Sequence, residues 1–351
     1  MDGEASATAE RVAGEPVLFE LSLARLLYSG LFNFSLLFLA VIFAILQNLD
    51  EFGLFRMEDW LSPKKADAAA GYFDMRFVLM LVALLLLLGM LSGVARTVAR
   101  DFGFRLTRSD RGLRRRRGLF TLSEVVIPIR RAQVAVIESG PVTRWLGWYS
   151  LSFQTLGADQ KERGVQVAAP FARMEEIVPI LAEAGFPVPP ARESFSHAPP
   201  RALIRWAGQY LAVAALAAMA ALFFEPWAGV AALLLLVLAL YGLLHWRRHA
   251  HALDERALFV SRGLLKRRLS IVPFGRTQAI SVWRGPLQRR LNLATLLVDT
   301  AGASLLASPE IVDLDSQDAD ALYDRLLALF RESRGRAPFS PTVTLATQLP
   351  G

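Results

Sequence analysis

The sequence contains no cysteine. Disulfides, thiolate nucleophiles, iron–sulfur clusters and cysteine-ligated zinc are therefore excluded. Histidine is scarce, with four in 351 residues, so few routes to acid–base catalysis or metal ligation remain. His245, His249 and His251 form the one histidine cluster. They lack a nearby carboxylate until Asp254 and Glu255, and no metal or other cofactor is expected there. There is no phosphate-cradling glycine loop, nucleophile elbow, paired-histidine zinc helix or kinase set. The long apolar runs lack the buried ionisable residues that ion-coupled transporters need. Residues 1–20 are polar to acidic and have no apolar h-region, so they do not read as a signal peptide. These absences argue against an enzyme or a pump.

Apolar residues and arginine are plentiful. Hydrophobic residues make up 54% of the chain and the net charge is +7. The excess apolar content falls into four runs, at 26–47, 77–94, 206–224 and 228–244. Each approaches the roughly 20 residues that span a bilayer core, which predicts two transmembrane hairpins, 26–96 and 204–248. Arg96, Arg100, Arg105 and Arg108 follow the first hairpin, and Arg201, Arg205, Arg247 and Arg248 flank the second. By the positive-inside rule these flanks, and both termini, are cytoplasmic. Residues 1–25 read as a tail, 191–203 as a linker and 336–351 as a disordered tail.

A duplicated block organises the rest. Arg117–Ala158 returns without a gap as Arg262–Ala303, with about a third of the positions identical. Arg117-Gly118-Leu119 matches Arg262-Gly263-Leu264, and Pro128 matches Pro273. Arg131 and Gln133 match Arg276 and Gln278. Gly140-Pro141 matches Gly285-Pro286, and Gly157 matches Gly302. The block alternates polar and apolar residues, as in Ser150–Gln154, which predicts strands with one buried face. Residues 132–138 alternate likewise, with Val134, Val136 and Glu138 opposite Ala135 and Ile137. Arg-Gly-Leu reads as a hairpin turn with glycine at positive φ. One helical turn is expected at 142–146 and at 287–291. A helix closes each copy, at 174–184 and about 317–331, the second with Ser316 as N-cap.

The run of Arg-Gly-Leu, strand, Pro, Arg-x-Gln, Gly-Pro-x-x-Arg-x-Leu and Thr-x-Gly resembles the bacterial pleckstrin-homology-like (PH-like) domain of the YdbS/YdbT-type membrane proteins. The resemblance covers about residues 20–335 and occurs twice. It implies PH-like domains at 97–190 and 249–335, each a partly open β-barrel or sheet capped by a C-terminal helix, following a transmembrane hairpin. The expected class is thus membrane α+β, in the bacterial cytoplasmic membrane. Some family members carry a further PH-like copy near the N-terminus, and this chain begins where a linker between copies would lie. Ser123 and Arg130 become Arg268 and Gly275, so surface charge is not duplicated.

Arg114, Arg115, Arg116 and Arg117 are candidates for anionic headgroups, although such a run also serves as a topology signal on a solvated hairpin. No aromatic platform interleaves them, so nucleic acid is not an expected partner. Gly118, Pro128, Gly140, Pro141, Gly157 and their counterparts Gly263, Pro273, Gly285, Pro286 and Gly302 read as turn scaffolding. Arg131, Gln133, Arg276 and Gln278 are least explained by packing and are candidate contacts. The expected function is non-catalytic. The two domains bind inner-leaflet lipid, a protein partner or each other, and the resemblance implies a role in envelope stress or resistance to membrane-active compounds. The alternative is a subunit of an envelope transport system.

Overall fold

The duplication recurs in three dimensions, element by element. A computed structural model describes residues 15–32, 75–155, 164–208, 240–244, 246–300 and 309–335, with positions 213, 219 and 237. In the first copy β2 (Arg105–Ser109), β3 (Gly112–Arg117) and β4 (Ser123–Ile127) form a meander, preceded by β1 (Val17–Glu20). A single 3-10 turn, Ile129–Arg131, leads into β5 (Ala132–Ser139), and β6 (Tyr149–Thr155) and β7 (Val165–Ala172) follow. A short strand, β8 (Ser196–His197), lies in the segment expected to be linker. In the second copy β9 (Ala250–Leu253), β10 (Ala257–Arg262) and β11 (Arg267–Pro273) lead through the 3-10 turn Phe274–Arg276. Then come β12 (Thr277–Trp283), β13 (Leu293–Thr300) and β14 (Glu310–Asp315).

Helices among the described residues include α1 (Leu23–Phe32), α2 (Met75–Asp101), α3 (Pro141–Trp145), α4 (Met174–Glu183), α5 (Pro286–Arg290) and α6 (Ser316–Gly335), and residues 202–208 and 240–244 are helical as well. Short α3 and α5 begin at equivalent prolines, whose fixed φ suits the first helical position. The α3 turn is closed by Thr143 Oγ1, which accepts from Gly140 N at 2.8 Å. In α5 the same place is taken by Gln288 Oε1, which accepts from Gly285 N at 3.0 Å. At the start of α6 it is Asp315, rather than Ser316, that accepts from Gln317 N, at 3.2 Å. Gly118 and Gly263 close the expected hairpins at φ 122° and 93°. A Cβ there would lie 2.1 Å from Thr121 O and 2.2 Å from Lys266 O respectively, so only glycine fits. Gly157 and Gly302 lie outside the described residues.

The expected pair of transmembrane hairpins is not the architecture found. Among the described residues no helix is long and apolar enough to cross a membrane. Helix α1 has ten residues, about 15 Å at 1.5 Å per residue, against a bilayer core of about 30 Å. Helix α2 has 27 residues, but its last turns carry Arg96, Arg100 and Asp101 and are packed structure. Thr97 and Asp101 are buried there. Most of the runs 206–224 and 228–244, and 33–47 of the first, lie outside the described residues.

The chain divides into two compact units. One holds Phe19–Leu106 and Arg115–Val125, and the other Met1–Leu18, Thr107–Arg114 and Val126–Gly351. In the first, α1 meets α2 so closely that a Cβ on Gly30 would sit 2.6 Å from Val94 Cα. Leu119 N donates to Ala99 O at 3.2 Å, and Gly118 N to Phe102 O at 2.9 Å, which fastens the β3–β4 turn to the end of α2. Phe19 and Phe104 pack edge to face, 5.9 Å between centroids.

Among the described residues strand pairing gives three sheets: β1-β2-β3-β4, then β7-β6-β5-β11-β10-β9-β8, then β12-β13-β14. The second of these runs across both copies. In it β5 of the first copy pairs antiparallel with β11 of the second, from Arg267↔Ser139 to Ile271↔Ala135. Val134 and Val136 lie in one buried cluster with Leu258, Val260, Val272 and Leu296 of the second copy. Each fully buried valine is worth roughly 1.5–3 kcal/mol relative to exposure. The opposite face of β5 is buried too, since Ala135 and Ile137 are inaccessible. A strand read as half-buried is central and buried on both faces.

Candidate functional site

Where the copies meet, charge gathers. The β10–β11 hairpin carries Arg262, Lys266 and Arg268, and the β5–β11 register places Arg268 opposite Glu138. Glu138 accepts from Arg268 at 2.8 Å and from Lys266 at 2.7 Å. Arg262 pairs with Glu310, at the start of β14, at 3.2 Å. These five side chains line a cleft of about 380 Å³ with Trp206, His249 and Gly263. Its formal charge is positive by one. His249 lies tilted against Trp206, 6.1 Å between ring centroids, which gives the cleft an aromatic wall.

The titration behaviour follows from this crowding. Burial pushes the Glu138 carboxyl up, yet Lys266 and Arg268 together hold it below its usual range. For Arg262, burial pulls the guanidinium pKa down and the Arg268 charge adds to that, against the pull of Glu310.

A second junction contact comes from Arg276. Its Nη1 donates to Ala132 O at 2.7 Å and its Nη2 to Ala184 O at 3.3 Å. The guanidinium lies 4.3 Å from the Phe186 ring centroid, a cation–π geometry. Burial pushes its pKa down to about 10, so it is charged at neutral pH. The second copy also holds a buried polar network. Arg205 donates to Asp313 Oδ2 at 2.9 and 2.5 Å, and Gln288 donates to Asp313 Oδ1 at 2.8 Å and Thr295 Oγ1 at 2.9 Å. Asp313 is 1% exposed and sits at φ 60°.

The sequence candidates are not brought together. Within the arginine run, strand periodicity sends alternate side chains to opposite faces. Arg115 is 0% exposed and Arg116 is exposed. Arg114 pairs with Glu15 at 3.3 Å and Arg117 with Asp101 at 2.9 Å. Gln133 is buried and donates to Arg131 O at 3.3 Å, while Arg131 and Gln278 are exposed. Glu138, Lys266, Gln288 and Asp313 were not singled out from sequence. The available signal was divergence: Arg268 stands where the first copy has Ser123, and Gln288 where it has Thr143.

His245 lies outside the described residues, and among those residues no group of three acidic or histidine side chains is placed to hold a metal ion.

Comparison with known proteins gives two results. The bacterial PH domain family profile matches residues 34–184 and 203–330. The UPF0699 transmembrane protein YdbT of Bacillus subtilis (strain 168) is 22% identical over 285 residues, 80% of this chain and 57% of that protein. The chain therefore spans little more than half the length of this relative. No solved structure matches.

Proposed function

The chain belongs to the bacterial PH domain family, and from that premise we propose that it is a non-catalytic, membrane-associated protein that reads anionic groups at the inner leaflet. The relative described as a transmembrane protein supports the membrane setting. The observation that carries the reading is the cleft at the copy junction. It combines three cations, one of them strongly exposed, with an indole wall and a volume that suits a headgroup. Arginine forks suit phosphate oxygens, and lysine adds a mobile point charge.

The hairpin turns add apolar contact. Phe120 is 86% exposed in the β3–β4 turn, and its counterpart Leu265 is 66% exposed in the β10–β11 turn. Each is preceded by Arg-Gly-Leu, and an exposed apolar tip of this kind favours a lipid interface. Such a module suits the envelope-stress setting implied by the family resemblance.

Flotation of the full chain with vesicles tests this. Retention rises when phosphatidylglycerol replaces part of a phosphatidylcholine bilayer and falls with added salt. Arg262→Gln and Lys266→Gln each reduce it. Retention indifferent to anionic lipid, to salt and to both variants overturns the reading.

A further inference from the structure

The junction inside the chain is a template for one between chains. It joins β5, the first strand of one copy's second sheet, to β11, the last strand of the next copy's first sheet. One copy further along in each direction, the equivalent strands are β12 and β4. Both terminate their sheets, so each has an edge with no strand partner among the described residues. Such edges present unpaired backbone groups to any extended segment of matching register.

We propose that β12 of one chain pairs antiparallel with β4 of a second copy of the chain, repeating the β5–β11 junction. Transferring the internal register through the sequence repeat gives Ser123↔Trp283, Glu124↔Val282, Val125↔Ser281 and Val126↔Ile280. Burial agrees with this assignment. Strand β5 is enclosed along nearly its whole length, whereas its counterpart β12 exposes Gln278, Ala279, Ser281 and Trp283. Trp283 is 60% exposed, and Val126 on β4 is exposed as well. Pairing the strands covers both.

The repeat also supplies the latch. Arg276 reaches back to the carbonyl of Ala132 at the start of β5. Its counterpart Arg131 is exposed, and in the transferred junction it meets the carbonyl of Thr277, the counterpart of Ala132. The ion pairs of the internal junction are not repeated, because Glu138 becomes Trp283 and Arg268 becomes Ser123. The contact between chains therefore rests on the backbone ladder, Trp283 and Arg131, and is weaker than the internal one. Since β12 and β4 are different surfaces, the contact is head-to-tail and leads to a ring or an open row.

The natural absence of cysteine makes the test clean. Full-length chains carrying Val125→Cys are mixed with chains carrying Ser281→Cys and mildly oxidised. Directly opposed residues in an antiparallel pair have Cα atoms about 4.5–5.5 Å apart, within disulfide range. The expected result is a cross-linked pair of chains, and a ladder beyond the dimer when both cysteines are on one chain. Val125→Cys mixed with Val282→Cys, a one-residue slip that points the side chains to opposite faces, stays uncross-linked. Arg131→Glu lowers the in-register yield several-fold while leaving the monomer folded. Yields equal for the in-register and slipped pairs, or a double variant that closes within one chain or stops at dimers, overturn the proposal.

Discussion

The first and second copies share their turns, strand order and closing helices, yet equivalent residues have different work. Arg276 bridges to two carbonyls and a phenyl ring of the other copy, and Arg131 faces solvent. Strand β5 sits between β6 and β11, while β12 ends its sheet. Thr143 caps one short helix with a hydroxyl, whereas Gln288 caps the other and also holds a buried aspartate. Duplication preserved the residues that the backbone requires. Divergence fell where one copy meets the other.

The comparison can be broken most forcefully at Asp313. Asp313→Ala leaves Arg205 without its partner, and losing one member of a buried pair costs about 3–5 kcal/mol. Thr143→Ala, which removes the simpler first-copy cap, costs about 1 kcal/mol. Chemical denaturation of both variants measures the difference. Next comes the latch. Arg276→Ala removes charge-assisted bonds and a ring contact and lowers stability by about 2 kcal/mol. Arg131→Ala in the isolated chain stays within about 0.5 kcal/mol, as thermal melts at matched concentration will show.

A smaller effect separates the copies by pH. The Glu138 carboxyl titrates below its ordinary 4.5 in the folded chain, so on acidification the unfolded state takes up its proton first. Its stabilisation is complete above that ordinary value and is lost as pH falls through the lower folded pKa. Glu138→Gln flattens this acid limb in urea titrations. The smallest expected effect is on the arginine run. Arg116→Ala changes stability by less than about 0.5 kcal/mol, and Arg115→Ala, at a buried position, costs clearly more.

Much of this fold was legible in the chain. The repeat located both sets of strands, Gly118 and Gly263 announced their turns, and Pro141 and Pro286 marked the short helices. What stayed hidden was long-range. Alternation in Ala132–Ser139 says that one face is apolar, and small Ala135 beside Ile137 did not reveal that the second face is covered by another sheet edge. Four successive arginines carry no apolar pattern, so which of them turns inward depends on the strand's neighbours. The long apolar runs were read from length and hydropathy alone. Neither property shows that the end of α2 is occupied by buried Thr97 and Asp101. The cleft residues diverge between copies, and a reading built on matched positions passes over them.

The central claim is that both copies share one continuous sheet through β5 and β11. Hydrogen exchange on the full chain tests it most directly. The account predicts that amides of 134–138 and 268–271 exchange with the same high opening free energy, and that Arg276→Ala lowers both together. Protection of β5 with rapid, independent exchange along β11, as for an edge strand, would contradict it.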